Sequence, residues 1–266
     1  MRRTTHQPRK RFGQNFLKNP IVIDDIVRAI APRADDLMVE IGPGLSALTT
    51  PLARALNTLH VIELDRDIVA QLREQHAGGK LVIHEGDALK FEFASLGDNL
   101  RVVGNLPYNI STPLLFHLAE HIAHIRDIHV MLQKEVVERM VAAPGGGDYG
   151  RLSVMLQYRF DMEKVIDVGP DAFYPQPKVD SAVVRMLPRK VIEPKARDET
   201  LFAHVVTAAF SQRRKTLRNT LRNLLELPDF DALAINPGAR AETLSVADFV
   251  RIANRMATRQ PSEDSQ

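Results

Sequence analysis

The 266-residue sequence predicts an α/β protein in which a mostly parallel, doubly wound sheet with one antiparallel edge strand spans residues 1–188 and a small all-helical domain spans 189–266. Three observations predict it. Short β-branched runs recur between amphipathic helical patterns, the alternation of a parallel sheet covered on both faces. A glycine-rich turn follows the first of these runs, where such folds cross from strand to helix. Beyond Pro188 no further strand candidate occurs.

Taken in order, strands are expected at 37–41, 59–64, 80–84, 101–104 and 128–133. Helices fall between them at 21–30, 46–56 and 113–121, where apolar residues repeat every three or four positions. A helix then starts near 134, a loop occupies 144–150, and a helical pattern covers 152–158. Strand-like runs at 164–168 and 182–187, joined across 169–181, suggest an antiparallel hairpin closing the sheet. Residues 189–198 are charged, contain Pro194 and read as a linker. In 207–225, Phe210, Leu217, Leu221 and Leu224 share one side of a predicted helix. Ser245 and Asp248 have the spacing of a capping box ahead of Phe249, Val250 and Ile252. The polar ends, 1–8 and 258–266, are expected to be disordered, and no internal repeat occurs.

Composition narrows the chemistry. With 44% hydrophobic residues the chain can bury a core, and no apolar run approaches the roughly 18 residues of a membrane span. The N-terminus lacks the apolar stretch of a secretory signal, so a cytoplasmic location is expected. There is no cysteine, which excludes disulfides, cysteine zinc sites, iron–sulfur clusters and thiolate nucleophiles. The net charge of +2 hides two acid-free basic segments: Arg2, Arg3, Arg9, Lys10, Arg11 and Lys18, then Arg213, Arg214, Lys215, Arg218 and Arg222.

The sharpest local feature is Glu40-Ile41-Gly42-Pro43-Gly44-Leu45-Ser46-Ala47, at the end of the first long strand. Glycines there admit a ligand close to the backbone, and the run matches the dinucleotide pattern G-x-G-x-x-A. Glu63 ends the next strand about 20 residues on, where an acid accepts hydrogen bonds from ribose hydroxyls. An ordinary tight turn has the same pattern, and an adenosine-containing cofactor of unspecified kind is the functional reading. Glu40 and Asp87 favour a cofactor with an ammonium group and an adenine amine over a pyrophosphate, which added carboxylates would repel.

The strand at 101–104 runs into Asn105-Leu106-Pro107-Tyr108. The amine of adenine is a poor nucleophile because its lone pair is delocalised into the ring. An amide oxygen from Asn105 and the Leu106 carbonyl, both accepting from that amine, favour the pyramidal nitrogen that attacks a methyl group. Pro107 fixes the backbone direction, and Tyr108 offers a ring for stacking, worth about 1–3 kcal/mol per base. A strand-end turn with a buried tyrosine is the bland alternative.

These residues make the chain resemble the bacterial small-subunit ribosomal RNA adenine N6-dimethyltransferases, the family associated with kasugamycin sensitivity, over nearly its whole length. Arg11-Phe12-Gly13-Gln14-Asn15-Phe16-Leu17 is similar to the family's N-terminal cofactor motif, Glu40 to Gly44 to its glycine loop and Asn105 to Tyr108 to its catalytic motif. Phe173-Tyr174-Pro175-Gln176-Pro177-Lys178-Val179-Asp180-Ser181 and Gln212-Arg213-Arg214-Lys215-Thr216-Leu217-Arg218-Asn219 are similar to its late motifs. The resemblance implies a Rossmann-like methyltransferase sheet binding S-adenosylmethionine, contacted by Asn15, Leu17 and Gly42, with Glu63 on the ribose and Asp87 on the adenine amine. Asn105 faces both cofactor and substrate, and Phe173 sandwiches the target adenine opposite Tyr108. The implied reaction is direct in-line dimethylation of two adjacent adenosines in a hairpin loop near the 3′ end of small-subunit RNA, without a metal. The target base has to leave its stack. The implied partners are that RNA and the immature small subunit, and a monomer is expected.

Within that reading, Arg214, Arg218 and Arg222 at four-residue spacing put three guanidinium groups on one helical face, and with Arg213 and Lys215 they are candidates for phosphate contact. A solvated face is the alternative. The N-terminal run also has the composition of a transit peptide, but the motif starting at Arg11 leaves no room for its amphipathic helix. Segment 143–150 departs from the family pattern in being more glycine-rich. His117, His121 and His124 sit at helical spacing without a clear carboxylate ligand, and a solvated face is expected rather than a metal site. Three rival functions stay open: methylation of large-subunit RNA as in the related resistance enzymes, a role chiefly as a ribosome-assembly factor, and a dinucleotide-dependent oxidoreductase.

Overall fold

The computed structural model describes residues 14–258. The basic run from Arg2 to Arg11, the motif residues Phe12 and Gly13 and the tail beyond 258 lie outside the described residues. The chain forms β1 (Phe16–Leu17), α1 (Pro20–Ile30), β2 (Met38–Ile41), α2 (Thr49–Ala55), β3 (Leu59–Glu63), α3 (Arg66–Gln75), β4 (Leu81–Glu85), β5 (Leu100–Asn105), α4 (Ser111–Glu120) and β6 (Ile125–Gln133). There follow α5 (Lys134–Val141), α6 (Arg151–Gln157), β7 (Phe160–Val168), β8 (Phe173–Tyr174), β9 (Ser181–Pro188), α7 (Glu199–Ala209), α8 (Leu217–Thr220), α9 (Leu227–Leu233) and α10 (Val246–Ala257). The described residues group into two compact units, the first reaching to 137 and including 161–188, the second comprising 138–160 and the chain from 189 onward. The sequence places all of 1–188 in the first domain, whereas the fold groups 138–160 with the C-terminal helices.

In the first unit the seven-stranded sheet has the order β4-β3-β2-β5-β6-β9-β7. Strands β2 to β6 pair in parallel, and β9 runs antiparallel to β6. The antiparallel strand therefore lies one place in from the edge, which β7 occupies. Val39, Val61, Val102, Val103 and Val130 are all fully buried, because a sheet covered on both faces selects continuous apolar runs rather than alternation. Helix starts are chemically marked: Asn19 caps α1 with Pro20 at its first position, and Asp65 caps α3. From β2 the chain winds outward through β3 to β4, then returns to β5 and continues the other way to β6. The reversal between β2 and β5 opens a crevice at their carboxyl ends.

The 169–181 connection is more than a hairpin turn. It contains β8, which pairs antiparallel with β1 so that Phe16 faces Tyr174 and Leu17 faces Phe173. At the end of β5, a Cβ added to Gly104 would lie 2.5 Å from the Ile41 carbonyl oxygen. Gly104→Ala is expected to force β2 and β5 apart at a cost of about 1–3 kcal/mol, read as a lower denaturant midpoint.

The second unit is built on a core that includes Tyr149, Tyr158, Phe202, Leu217, Leu221, Phe230 and Phe249. The capping box is present: Ser245 Oγ accepts from the Asp248 N–H at 3.2 Å and Asp248 Oδ2 accepts from the Ser245 N–H at 2.9 Å. The continuous helix expected over 207–225 is not formed. Helix α7 ends at Ala209, and the N–H groups of Leu217 and Arg218 bond to the carbonyls of Ala239 and Pro237 at 2.8 and 3.0 Å. The leucine periodicity reports burial of Leu217 and Leu221, not a long helix. Among the described residues no helix is long and apolar enough to cross a membrane.

Candidate active site

The crevice between β2 and β5 holds a cavity of about 340 Å³ lined by Asn15, Leu17, Glu40, Gly42, Glu63, Asp87 and the tetrapeptide from Asn105 to Tyr108, among others. Residues far apart in sequence are thus brought together, each by a strand end.

The glycine loop is not the start of a helix. Ser46, where the helix is expected to begin, has φ +69°, and α2 starts at Thr49. Gly44 has φ +52°, and a Cβ there would sit 3.0 Å from the Phe16 ring, so β1 packs directly onto the loop. Gly42 N–H donates to the Ile62 carbonyl at 2.9 Å, binding the loop to β3.

Glu63, at the end of β3, is buried and accepts the Asp65 N–H at 2.8 Å. Burial raises its pKa, opposed by hydrogen bonds from the backbone of Asp65, Gly44 and Leu64. The Gly44 N–H, one of the loop donors, is thus given to this carboxylate. Glu40, in β2, is only 2% exposed, and its Oε2 has no hydrogen-bond partner among the described residues. Burial pushes its carboxyl up to about 8, the nearby Thr49 hydroxyl opposing and the Glu63 charge adding to the push. Two buried carboxyls, one with an orphaned oxygen, suit a ligand carrying an ammonium group, whose charge favours their ionised forms. Asp87 lies on the same wall after β4, its Oδ1 accepting the Leu89 N–H at 3.0 Å.

Beside the loop, at the end of the neighbouring β5, Asn105 Nδ2 donates to the Asn15 carbonyl at 2.9 Å. A carbonyl only accepts, so this contact sets which end of the amide is the donor and leaves Oδ1 as its acceptor. Leu106 N–H donates to the Met131 carbonyl at 3.1 Å, anchoring the peptide on β6. The Tyr108 hydroxyl and Ser181 Oγ are 2.7 Å apart, and Ser111 Oγ donates to the Tyr108 carbonyl at 3.0 Å. Burial raises the Tyr108 pKa, with Ser181 opposing.

Phe173 is not brought to the cavity. It is 1% exposed and packs in the core cluster with Phe16 and Leu17. Because side chains alternate along a strand, β8 turns Phe173 inward and leaves Tyr174 62% exposed. The sequence also does not foretell Phe16 or Ser181 as site residues, although both lie within quoted motifs.

The basic residues belong to the second unit. Arg213 to Lys215, Arg218 and Arg222 are exposed, but Arg214 and Arg222 lie outside the four-residue α8, so the three arginines do not share one helical face. Arg213 donates to the Gly147 carbonyl, tying the glycine-rich segment to this cluster. The histidines are separately engaged: His117 Nε2 with the Phe91 carbonyl at 2.9 Å, His121 with Glu92 at 3.1 Å and His124 with Asp98 at 2.7 Å. Among the described residues no group of three or more acids and histidines could hold a metal ion.

The family model described as ribosomal RNA adenine dimethylase matches residues 5–258. A ribosomal RNA small subunit methyltransferase A from Thiobacillus denitrificans is 62% identical over 96% of this chain and 100% of that protein. One of the same name from Neisseria meningitidis is 58% identical over 95% of this chain and 97% of its own length. Among solved structures, a dimethyladenosine transferase from Plasmodium falciparum superposes with a TM-score of 0.81 at 26% identity, covering 92% of this chain and 98% of that one. The 23S rRNA methyltransferase ErmE superposes with a TM-score of 0.71 at 25% identity, covering 91% of this chain and 100% of its own.

Proposed function

The chain belongs to the ribosomal RNA adenine dimethylase family, and on that premise we propose that it transfers methyl groups from S-adenosylmethionine to N6 of two adjacent adenosines near the 3′ end of small-subunit ribosomal RNA. The observation that carries the reading is the Asn105 amide, held by the Asn15 carbonyl on a cavity walled by Glu40, Glu63 and Asp87. When bound, S-adenosylmethionine supplies a methyl group on a positively charged sulfur. On this reading Glu40 meets its ammonium, Glu63 its ribose and Asp87 its adenine amine, with Asn15, Leu17 and Gly42 closing around it. Asn105 Oδ1 and the Leu106 carbonyl accept from the amine of the target adenine, Pro107 sets the backbone direction, and Tyr108 stacks on the base. With Phe173 buried, stacking falls to Tyr108.

Relatives named for the small subunit match at 57–62% identity and the 23S enzyme at 25%, which favours the small-subunit substrate over the large. Incubating unmethylated small and large ribosomal subunits with the protein and mapping the modified bases tests it. Product confined to small-subunit RNA is expected, and product only in large-subunit RNA overturns the proposal. Calorimetry with S-adenosylmethionine and NAD tests the cofactor, and a preference for NAD overturns it.

Arg213, Arg214, Lys215, Arg218 and Arg222 are proposed to contact RNA phosphates. Neutralising Arg214 and Arg218 together is expected to weaken binding to small subunits and to reduce the slope of log affinity against log salt by about 0.7–0.9 per lost contact. An unchanged slope returns these side chains to a solvated surface.

A further inference from the structure

We infer that Ser181 is a positioning residue that holds the Tyr108 ring ready to receive the target base; the inference rests on the function proposed above. Ser181 does not line the cavity and is fully buried at the first position of β9, opposite Gln133 of β6. Its backbone is pinned there, since the neighbouring Asp180 carbonyl accepts the Lys134 N–H at 2.9 Å. From this fixed point Ser181 Oγ meets the Tyr108 hydroxyl at 2.7 Å.

Tyr108 sits on the turn between β5 and α4, where the Ser111 hydroxyl donates to its backbone carbonyl at 3.0 Å. A tyrosine on a turn has several staggered χ1 wells open to it. A hydrogen bond at the far end of the ring selects one of them, because the hydroxyl moves furthest when the ring swings. The ring is then ordered before the base arrives, and stacking does not have to bear that ordering cost. This gives a role to the end of the Phe173-to-Ser181 motif: β8 at its start packs on β1 over the glycine loop, and Ser181 at its end tethers the catalytic motif.

The test is a double-mutant cycle in methylation of unmethylated small subunits, with Ser181→Ala, Tyr108→Phe and the double variant. Each single change is expected to lower kcat/KM for the particle about three- to tenfold, the scale of one net hydrogen bond. The double variant should be no worse than Tyr108→Phe, because the two changes remove the same contact. S-adenosylmethionine affinity of Ser181→Ala, by calorimetry, should stay within twofold of wild type. Three outcomes overturn the inference: Ser181→Ala costing the same factor again in the Tyr108→Phe background, a parallel loss of cofactor affinity, or kinetics indistinguishable from wild type. If Ser181→Ala lowers the melting temperature severely, Ser181→Cys, which leaves no cavity and weakens the hydrogen bond, replaces it in the cycle. A wild-type chain that leaves small-subunit adenines unmethylated defeats the proposed function instead, and the same cycle on the RNA it does methylate decides on Ser181.

Discussion

Asn105→Ala is expected to lower kcat for methylation of small subunits by about 10²–10³-fold, the scale of losing one preorganised polar group at a reacting centre, while particle affinity stays within about threefold. The first half follows from geometry. Asn105 Nδ2 is committed to the Asn15 carbonyl at 2.9 Å, so the amide cannot turn over to offer its nitrogen to the base. Its Oδ1 is then a fixed acceptor for an amine whose lone pair must be drawn out of the adenine ring. Alanine removes the acceptor and also releases the Asn15 carbonyl. The second half follows from where the charge is: the exposed cations between Arg213 and Arg222 carry RNA affinity on this reading, and they belong to the other unit. Single-turnover methylation with saturating particles, paired with equilibrium binding, separates the two. Asn105→Asp should recover little, because its carboxylate would face the Asn15 carbonyl with no N–H to give. If affinity falls as far as the rate, Asn105 holds the fold rather than the substrate.

What was legible in the sequence is what depends on neighbours in sequence. The turn from Gly42 to Gly44 and the tetrapeptide from Asn105 to Tyr108 each follow a strand whose apolar run is unmistakable, and the Ser245–Asp248 capping box spans one helical turn. What was not legible depends on distant partners. Nothing near Phe16 announces that it pairs with Tyr174, and a two-residue strand has no periodicity to read. The same pairing decides that Phe173 faces the core and Tyr174 the solvent, a question of strand parity that a motif cannot answer. The leucines at 217 and 221 have true helical spacing, but the N–H of Leu217 is claimed by Ala239, so the segment folds back instead of continuing. Arg101 is another case: a charged residue inside a strand, it is buried because Asp36 and Asp127 bind it at 2.6 and 3.0 Å and the Ile30 carbonyl accepts from it. Its partners come from the end of α1, a loop and the neighbouring strand, and composition alone does not assemble them.

S-adenosylmethionine binding is expected to tighten by up to about tenfold per pH unit between pH 6 and 7.5 and to release a proton at pH 7, both through Glu40. With its carboxyl pushed up to about 8 by burial, Glu40 is roughly nine-tenths protonated at pH 7 in the empty protein. The sign for stability follows directly. The folded value lies above that of an exposed glutamate, near 4.3, so the folded protein holds the extra proton between the two. This contribution to stability is complete below about pH 4.3 and is lost as pH rises through 8. A ligand ammonium beside the orphaned Oε2 reverses the preference, because the ionised carboxylate then has a partner, and the proton leaves as the ligand enters. Above pH 8 the trend should turn over, since the ligand's own amine deprotonates in that range. Glu40→Gln keeps the shape but cannot ionise. It should bind about ten- to a hundredfold more weakly at pH 8, the scale of one charged hydrogen bond, lose the pH slope, and make the empty protein more stable above pH 8. Calorimetry in two buffers of different ionisation enthalpy counts the proton directly. Release of close to one proton at pH 7 by the wild type and none by the variant is the expected result, and a flat profile with no release in the wild type would assign the ammonium to another partner.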